Sequence, residues 1–255
     1  MAKGYGLHVG LSRVDEVVHG DPNNAPGCDR AAFAMRDLAE RLGFTHTTLL
    51  VDEAASGAAF LKSMATIAHE LDDGDILLLT LAGHGIRHVN SRDPDEPRDQ
   101  AFLLFDSKLV DDTLYSLLRS IPVPARVVIV AEACYSGSIA TVVAGAHSAF
   151  VRESSRFMDR VNRFPGDGRP RITANVLLLA AAAETTIAIG SLRPGTPPPF
   201  TEALLALVDE SASYRDLHRR ISDRAAGTSP FSIPVLNDNL VNRQAFVDER
   251  PFSII

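Results

Sequence analysis

Two apolar runs that each end in a polar residue decide the fold: Asp75-Ile-Leu-Leu-Leu-Thr-Leu-Ala-Gly-His84-Gly85 and Arg126-Val-Val-Ile-Val-Ala-Glu-Ala-Cys134-Tyr-Ser-Gly-Ser138. Each run is short and nearly continuously apolar, which is typical of a strand buried on both faces of a parallel sheet. In open α/β sheets the functional groups collect at the carboxyl ends of the strands. We therefore expect the His84 imidazole and the Cys134 thiol to meet at one edge of such a sheet.

Predicted strands and helices alternate along the rest of the chain, which implies right-handed crossovers and a mostly parallel, doubly wound sheet in one α/β domain. An arginine-rich segment, 147–171, reads as a basic insertion between a large front part, 1–146, and a small back part, 172–255. Strands are predicted at 6–12, 45–51, 75–82, 101–105, 126–131, 175–182 and 233–236. Helices are predicted at 32–42, 56–71, 111–118 and 201–210, with a last one that ends at Arg224.

Composition excludes several classes of partner. The 255 residues are 45% hydrophobic, so a sizeable core is available, and the net charge of −7 argues against nucleic acid. No apolar stretch approaches the roughly 20 residues that span a bilayer, and the first residues lack the apolar core of a secretory signal. Only Cys28 and Cys134 occur, which fits a reducing compartment. We expect a cytoplasmic protein without a membrane partner.

A thiolate beside an imidazole is the basis of cysteine-nucleophile catalysis. A lone cysteine after a strand is also a common buried hydrophobe, but Ser136-Gly137-Ser138 after Cys134 leaves room for a substrate backbone. Gly83 and Gly85 around His84 predict a sharp departure from the strand that exposes the ring. A metal-ligand role for His84 is the alternative, but no His-x-x-x-His or cysteine pair completes such a site. The residues predict a cysteine peptidase.

The motifs Ala-Gly-His84-Gly and Glu-Ala-Cys134-Tyr-Ser-Gly-Ser resemble the Ser-Gly-His-Gly and Asp-x-Cys-His-Ser-Gly motifs of caspase-like cysteine peptidases, in the prokaryotic metacaspase-like branch of peptidase family C14. Gly27-Cys28 and Asp111-Asp112 extend the resemblance, which covers residues 6–236. It implies a three-layer α/β/α sandwich with large-subunit-like and small-subunit-like parts. It also implies hydrolysis of peptide bonds in proteins through a thioester, with an oxyanion hole at Gly85 and Cys134, by a regulated protease of a stress or defence setting.

The resemblance also implies an S1 pocket for the side chain that precedes the cleaved bond (P1), built from Cys28, Ala31, Ala82 and Glu132. Glu132 keeps the acidic character of the family's aspartate, whereas Ala31 and Ala82 stand where the family has aspartate and serine. One buried carboxylate favours a cationic partner, because leaving it unpaired is costly. We expect cleavage after arginine or lysine, with an uncharged P1 residue as the rival; an acidic P1 would be repelled.

Two regulatory features follow from the same resemblance. Asp99, Asp111 and Asp112 match part of a calcium cluster that activates many metacaspases, although Asp111-Asp112 is equally explained as the N-terminal cap of a helix. No cofactor is required for the chemistry itself. The basic insertion lies where family members are cut during maturation, and the alternative is a basic stretch that docks on a partner. The candidate self-cleavage sites are Arg152, Arg156, Arg160 and Arg163.

A different class of function is a catalytically inactive caspase-fold scaffold that binds a partner protein. The changes at Ala31, Ala82 and Tyr135 motivate it, whereas retention of both dyad residues and their flanking glycines argues for the enzyme. A nucleotide-binding module is disfavoured, because the chain has no G-x-G-x-x-G or Walker loop. We expect a monomer that acts on a protein or peptide substrate and answers to a regulatory protein partner.

Overall fold

The computed structural model describes residues 1–20, 24–88, 99–135, 172–181, 191, 193, 195–228, 235–238 and 243–255. It describes the backbone alone at residues 87–88, 99–100, 111–112, 134–135, 225–228, 235–238 and 243–245. The predicted processing sites Arg152, Arg156, Arg160 and Arg163 lie outside the described residues, as does the whole of the basic insertion 147–171.

Eight strands of the described chain form one sheet, whose main path runs β2-β1-β3-β6-β7-β8. Along this path every pairing is parallel except that of β7 with β8, and the hairpin β4–β5 pairs antiparallel beside the far end of β3. The strands are β1 (Gly4–Gly10), β2 (His46–Val51), β3 (Ile76–His88), β4 (Asp99–Leu103), β5 (Lys108–Val110), β6 (Arg126–Tyr135), β7 (Asn175–Ala180) and β8 (Val235–Asp238).

Helices cover both faces of the sheet. They are α1 (Glu16–His19), α2 (Cys28–Arg41), α3 (Gly57–Glu70), α4 (Asp111–Arg119), α5 (Pro199–Leu207), α6 (Tyr214–Thr228) and α7 (Arg243–Asp248), and Asp52–Ala54 and Val208–Glu210 form 3-10 turns. None of these helices is long and apolar enough to cross a membrane.

Alternate residues of the central strands feed two separate cores. Leu77 and Leu79 of β3 lie in a core with α3 and α4, whereas Ile76 and Leu78 lie in a second core with α2, α5 and α6. All four leucine and isoleucine side chains are fully buried. This two-sided burial is the reason why the sequence of β3 shows no polar alternation. The predicted α/β/α sandwich with a mostly parallel sheet is confirmed.

The central elements match their sequence predictions, and the errors are wrong strand ends and three short elements that the sequence did not predict. Ser56 caps α3 as expected, since its hydroxyl accepts a hydrogen bond from the Ala59 amide at 3.2 Å. The prediction that the third strand stops at Ala82 is wrong, because β3 continues to His88. The physical reason is β4, which offers an antiparallel partner to residues 85–88 once the parallel neighbour β1 has ended. The sequence analysis also missed α1, β5 and α7.

A buried histidine on β1 is the main titratable group of the sheet interior. His8 is fully buried, and its Nδ1 lies 3.0 Å from the Thr80 hydroxyl on the neighbouring β3. Its Nε2 has no hydrogen-bond partner in the described part of the chain. Burial, followed by the nearby Arg36 charge, lowers the pKa of His8 to about 3, while Asp37 acts weakly in the opposite direction. His8 is therefore neutral in the folded protein throughout the physiological range.

Acidification is expected to destabilise the fold through His8. Below the ordinary histidine pKa of 6.5 the unfolded chain binds a proton, whereas folded His8 stays neutral down to about pH 3. Stability is therefore complete above pH 6.5 and falls as the pH drops, by about 2 kcal/mol at pH 5. The measurement is urea denaturation at pH 7.5 and pH 5 for the wild type and for His8→Gln.

Other groups titrate in the same pH range, and they are present in both proteins. The difference between the wild type and His8→Gln therefore measures the contribution of His8 alone. The pH-dependent loss should be about 2 kcal/mol larger in the wild type than in His8→Gln. Equal pH dependence in both proteins would contradict the assignment of a neutral, buried His8.

Candidate active site

His84 and Cys134 occupy the same register position on neighbouring parallel strands. The Cα partners of β3 and β6 run from Ile76↔Arg126 to Gly85↔Tyr135, and His84↔Cys134 is the last pair but one. Both residues lie at the carboxyl ends of their strands, where α/β sheets carry their functional groups. The fold thus brings together two residues that are fifty positions apart in the sequence.

The backbone at His84 is regular strand and does not turn away from the sheet, contrary to the sequence expectation. Gly85 pairs with Phe102 of β4 on one side and with Tyr135 of β6 on the other. Gly83 serves packing, since a Cβ atom there would lie 3.1 Å from the Phe102 ring. The His84 side chain is partly buried, and its Nε2 has no hydrogen-bond partner among the described residues.

Three of the four predicted S1 residues form one small apolar cluster. Cys28, Ala31 and Ala82 pack together with Ala25, and none of the three is more than 4% exposed. The first turn of α2 reaches this position because it approaches β1 very closely at Gly10, where a Cβ atom would lie 2.2 Å from the Cys28 carbonyl oxygen. Any side chain at position 10 would push α2 away from the sheet.

The fourth predicted S1 residue, Glu132, caps a helix that follows it by almost seventy residues. Its Oε1 accepts a hydrogen bond from the Phe200 amide at 2.8 Å, and its Oε2 accepts one from the Thr201 amide at 3.0 Å and another from the Thr201 hydroxyl. Helix α5 begins with Pro199, and its N-cap residue Pro198 has no side chain that could cap it. Glu132 therefore satisfies the free amides at this helix end, where a negative charge is favourable.

Glu132 is buried, and the described residues beside it are uncharged. The carboxylate is 5% exposed, and burial raises the pKa of Glu132 to about 7, although its three hydrogen bonds to α5 act in the opposite direction. The space beside it measures about 10 Å³. Its lining residues are Ala31, Met35, Thr80, Leu81, Ala82, Val130, Glu132 and Thr201.

The predicted calcium residues lie around the β4–β5 hairpin. Asp99 is the first residue of β4, and Asp111 follows Val110, which pairs with Ala101 of β4. Asp111 and Asp112 open α4, whose N-cap Val110 makes no side-chain cap. Their carboxylates are outside the described side chains, and elsewhere in the described chain no cluster of three or more His, Cys, Asp or Glu could hold a metal ion. The calcium assignment stays a prediction.

Comparison with known proteins places this arrangement in a family. Residues 22–143 match the family model of the metacaspase, peptidase C14 domain, a segment that contains His84, Cys134 and all four predicted S1 residues. Nearly half of the chain, including both motifs, is thus similar to the caspase-like C14 family. The resemblance found from the two motifs is thus confirmed at the level of the family.

Several curated C14 relatives are similar over part of their length. The chain is 27% identical to metacaspase-5 of Trypanosoma cruzi over 135 residues, which make up 47% of this chain and 30% of that protein. It is 30% identical to metacaspase-4 of Arabidopsis thaliana over 112 residues, which are 40% of this chain and 27% of that protein. The match thus spans less than a third of these relatives. A crystal structure of a Geobacter sulfurreducens protein shares the fold over 99% of both chains, with a TM-score of 0.79 and 25% identity.

The contact of Glu132 with the start of α5 was not predicted from the sequence. Phe200 and Thr201 lie outside the segment that matches the family model. Pro197-Pro-Pro199 does indicate a helix start in the sequence. Nothing local to either stretch shows that this start abuts Glu132, since the contact spans 68 positions.

Proposed function

We propose that this chain is a cysteine endopeptidase in which Cys134 is the nucleophile and His84 is the general base and acid. The observation that carries the proposal is the pairing of His84 with Cys134 at one register position at the carboxyl edge of β3 and β6. The similarity of residues 22–143 to the metacaspase, peptidase C14 domain supports a cysteine peptidase in general terms. Among the described residues the Nε2 atom of His84 has no hydrogen-bond partner, which agrees with its assignment as the base.

The reaction follows from these two groups. His84 takes the proton of the Cys134 thiol, and the thiolate attacks the carbonyl carbon of the scissile peptide bond. The oxyanion of the tetrahedral intermediate is assigned, as the family resemblance implies, to the backbone amides of Gly85 and Cys134. His84 then gives its proton to the leaving amine, so that the C–N bond breaks and a thioester remains. A water molecule, deprotonated by His84, attacks the thioester and releases the carboxylate product and the thiol.

The proposal also includes activation by calcium and maturation by self-cleavage. Asp99, Asp111 and Asp112 would hold a calcium ion, because carboxylate oxygens are the ligands that this ion prefers. The ion would act as an activator through the β4–β5 hairpin, which pairs with β3 directly beside His84. Self-cleavage at the arginines of segment 147–171 would be the maturation step, and a protein substrate would be recognised at the same edge of the sheet.

The proposal is tested with a peptide mixture that carries no bias at P1. The full chain is incubated with a digest of whole-cell protein, with and without calcium, and new peptide ends are identified by mass spectrometry. We expect new ends that disappear after alkylation with iodoacetamide. Cys28 provides an internal comparison, because it is only 4% exposed and should alkylate much more slowly than Cys134.

Two results would count against a peptidase. One is the absence of new peptide ends under all conditions, and the other is loss of activity that tracks alkylation of Cys28 instead of Cys134. The scaffold alternative would then be preferred, since the fold would be present without the chemistry.

A further inference from the structure

Resting on the proposed peptidase function, we propose that the S1 subsite accepts a small, uncharged P1 side chain, because Glu132 is committed to α5 and the space beside it has the size of a water molecule. Arginine or lysine is the P1 residue expected from the sequence, with an uncharged residue as the rival. Contacts within the described site support the rival. Alanine, serine and glycine are the P1 residues that fit these contacts.

The hydrogen-bonding capacity of Glu132 is largely used by the protein itself. A carboxylate offers about four acceptor positions, and three of them are taken by the Phe200 amide, the Thr201 amide and the Thr201 hydroxyl. A guanidinium brings five N–H donors, and a bidentate ion pair needs both carboxylate oxygens. An incoming arginine would have to displace α5 from its cap in order to form a bidentate pair, because only one acceptor position of Glu132 is left.

The space beside Glu132 is also too small for a long P1 side chain. Its volume of about 10 Å³ is near the minimum that holds one water molecule, roughly 10–15 Å³ on this measure. Among its lining residues Ala31, Ala82 and Thr201 contribute only methyl groups and one hydroxyl that is already bonded to Glu132. A methyl or hydroxymethyl group needs a small adjustment of these walls, whereas a lysine or arginine chain needs a new pocket.

The charges in this space also disfavour a cationic P1 side chain. Among the described residues that line this space only Glu132 is ionisable, and Ala31 stands where the family resemblance would place a second carboxylate. Burial also raises the pKa of Glu132, so part of its charge is already suppressed near neutral pH. A cation buried here would lose its hydration without a carboxylate dedicated to it, which is strongly unfavourable.

The direct test measures kcat/KM of the full chain on one fluorogenic peptide series that differs only at P1: Ala, Ser, Arg, Lys, Asp and Leu. We expect the alanine or serine peptide to exceed the arginine and lysine peptides by about 100-fold, since a buried unpaired cation is so costly. Preferred cleavage after arginine, lysine, aspartate or leucine, abolished in Cys134→Ala, would overturn the P1 assignment and leave the peptidase intact. No Cys134-dependent cleavage of any peptide would refute the peptidase and the subsite together.

A second test separates helix capping from substrate binding, and it does not depend on activity alone. If Glu132 serves α5, Glu132→Gln and Thr201→Val should each lower Tm by about 2–4 °C, and the double variant should lose less than the sum. Thr66→Val, at an exposed threonine of α3, is the matched control and should leave Tm nearly unchanged. A substrate-binding acid would instead show unchanged Tm in Glu132→Gln and a selective loss of cleavage after basic residues, which would overturn the proposal.

Discussion

Alanine at Cys134 is expected to reduce kcat/KM to the background, a loss of about 10⁴-fold or more, because no other group replaces the attacking sulfur. His84→Ala is expected to lose nearly as much, since the thiol would keep its proton and the amine would leave without one. The measurement uses the best peptide of the P1 series under identical conditions for all variants. His69→Gln, at an exposed position of α3, is the matched histidine control and should retain wild-type activity.

The two alanine variants are also expected to be non-additive. When either member of a catalytic pair is missing the other has no function, so the double variant should be no worse than Cys134→Ala. The pH dependence of Cys134 alkylation reports on how His84 affects the ionisation of the thiol. It would not change if His84 had only a structural role. We expect the pH profile of alkylation to shift upward in His84→Ala, because the imidazole no longer favours the thiolate. An unchanged profile, or substantial turnover by Cys134→Ala, would show that the dyad is assigned to the wrong residues.

Arg126→Met is expected to lower the free energy of unfolding by about 3 kcal/mol or more. This is the largest loss of stability that we expect from the replacement of a buried charged residue. The Arg126 side chain is 9% exposed at the start of β6, and it donates to the Glu249 carboxylate at 3.1 Å. It also donates to the backbone oxygens of Ser253 at 3.0 Å and Gly74 at 3.2 Å. One guanidinium thus joins the strand that carries Cys134 to the turn before β3 and to the C-terminal residues.

The cost arises because the partners stay in place after the arginine is removed. Glu249 and two carbonyl oxygens would remain partly buried without their donor, and methionine fills the volume but offers no N–H group. Arg215→Met is the matched control, since its ion pair with Asp248 at 3.0 Å involves an arginine that is 63% exposed. Exposed pairs contribute at most about 1 kcal/mol. Urea denaturation at pH 7.5 measures both variants, and equal small losses would contradict the structural role of Arg126.

Much of this fold could be predicted from local sequence patterns. The continuous apolar run before His84 indicates a strand buried on both faces, and the two cores on either side of β3 confirm that interpretation. Ser56 indicates the start of α3 because capping depends only on residues within one turn. The family, too, could be identified from short motifs around His84 and Cys134, since each motif is a contiguous stretch.

The sequence by itself therefore determined most of the strands and helices and the edge of the sheet at which the thiol and the imidazole belong. Tertiary structure alone decided that His84 stands opposite Cys134, that β3 continues beyond Ala82 along β4, and that Glu132 caps α5. The physical reason is the range of the interactions. Periodicity, capping and turn chemistry act within a few residues, whereas strand register and the Glu132 contact join segments 50 or more positions apart, and only packing of the whole chain brings such segments together.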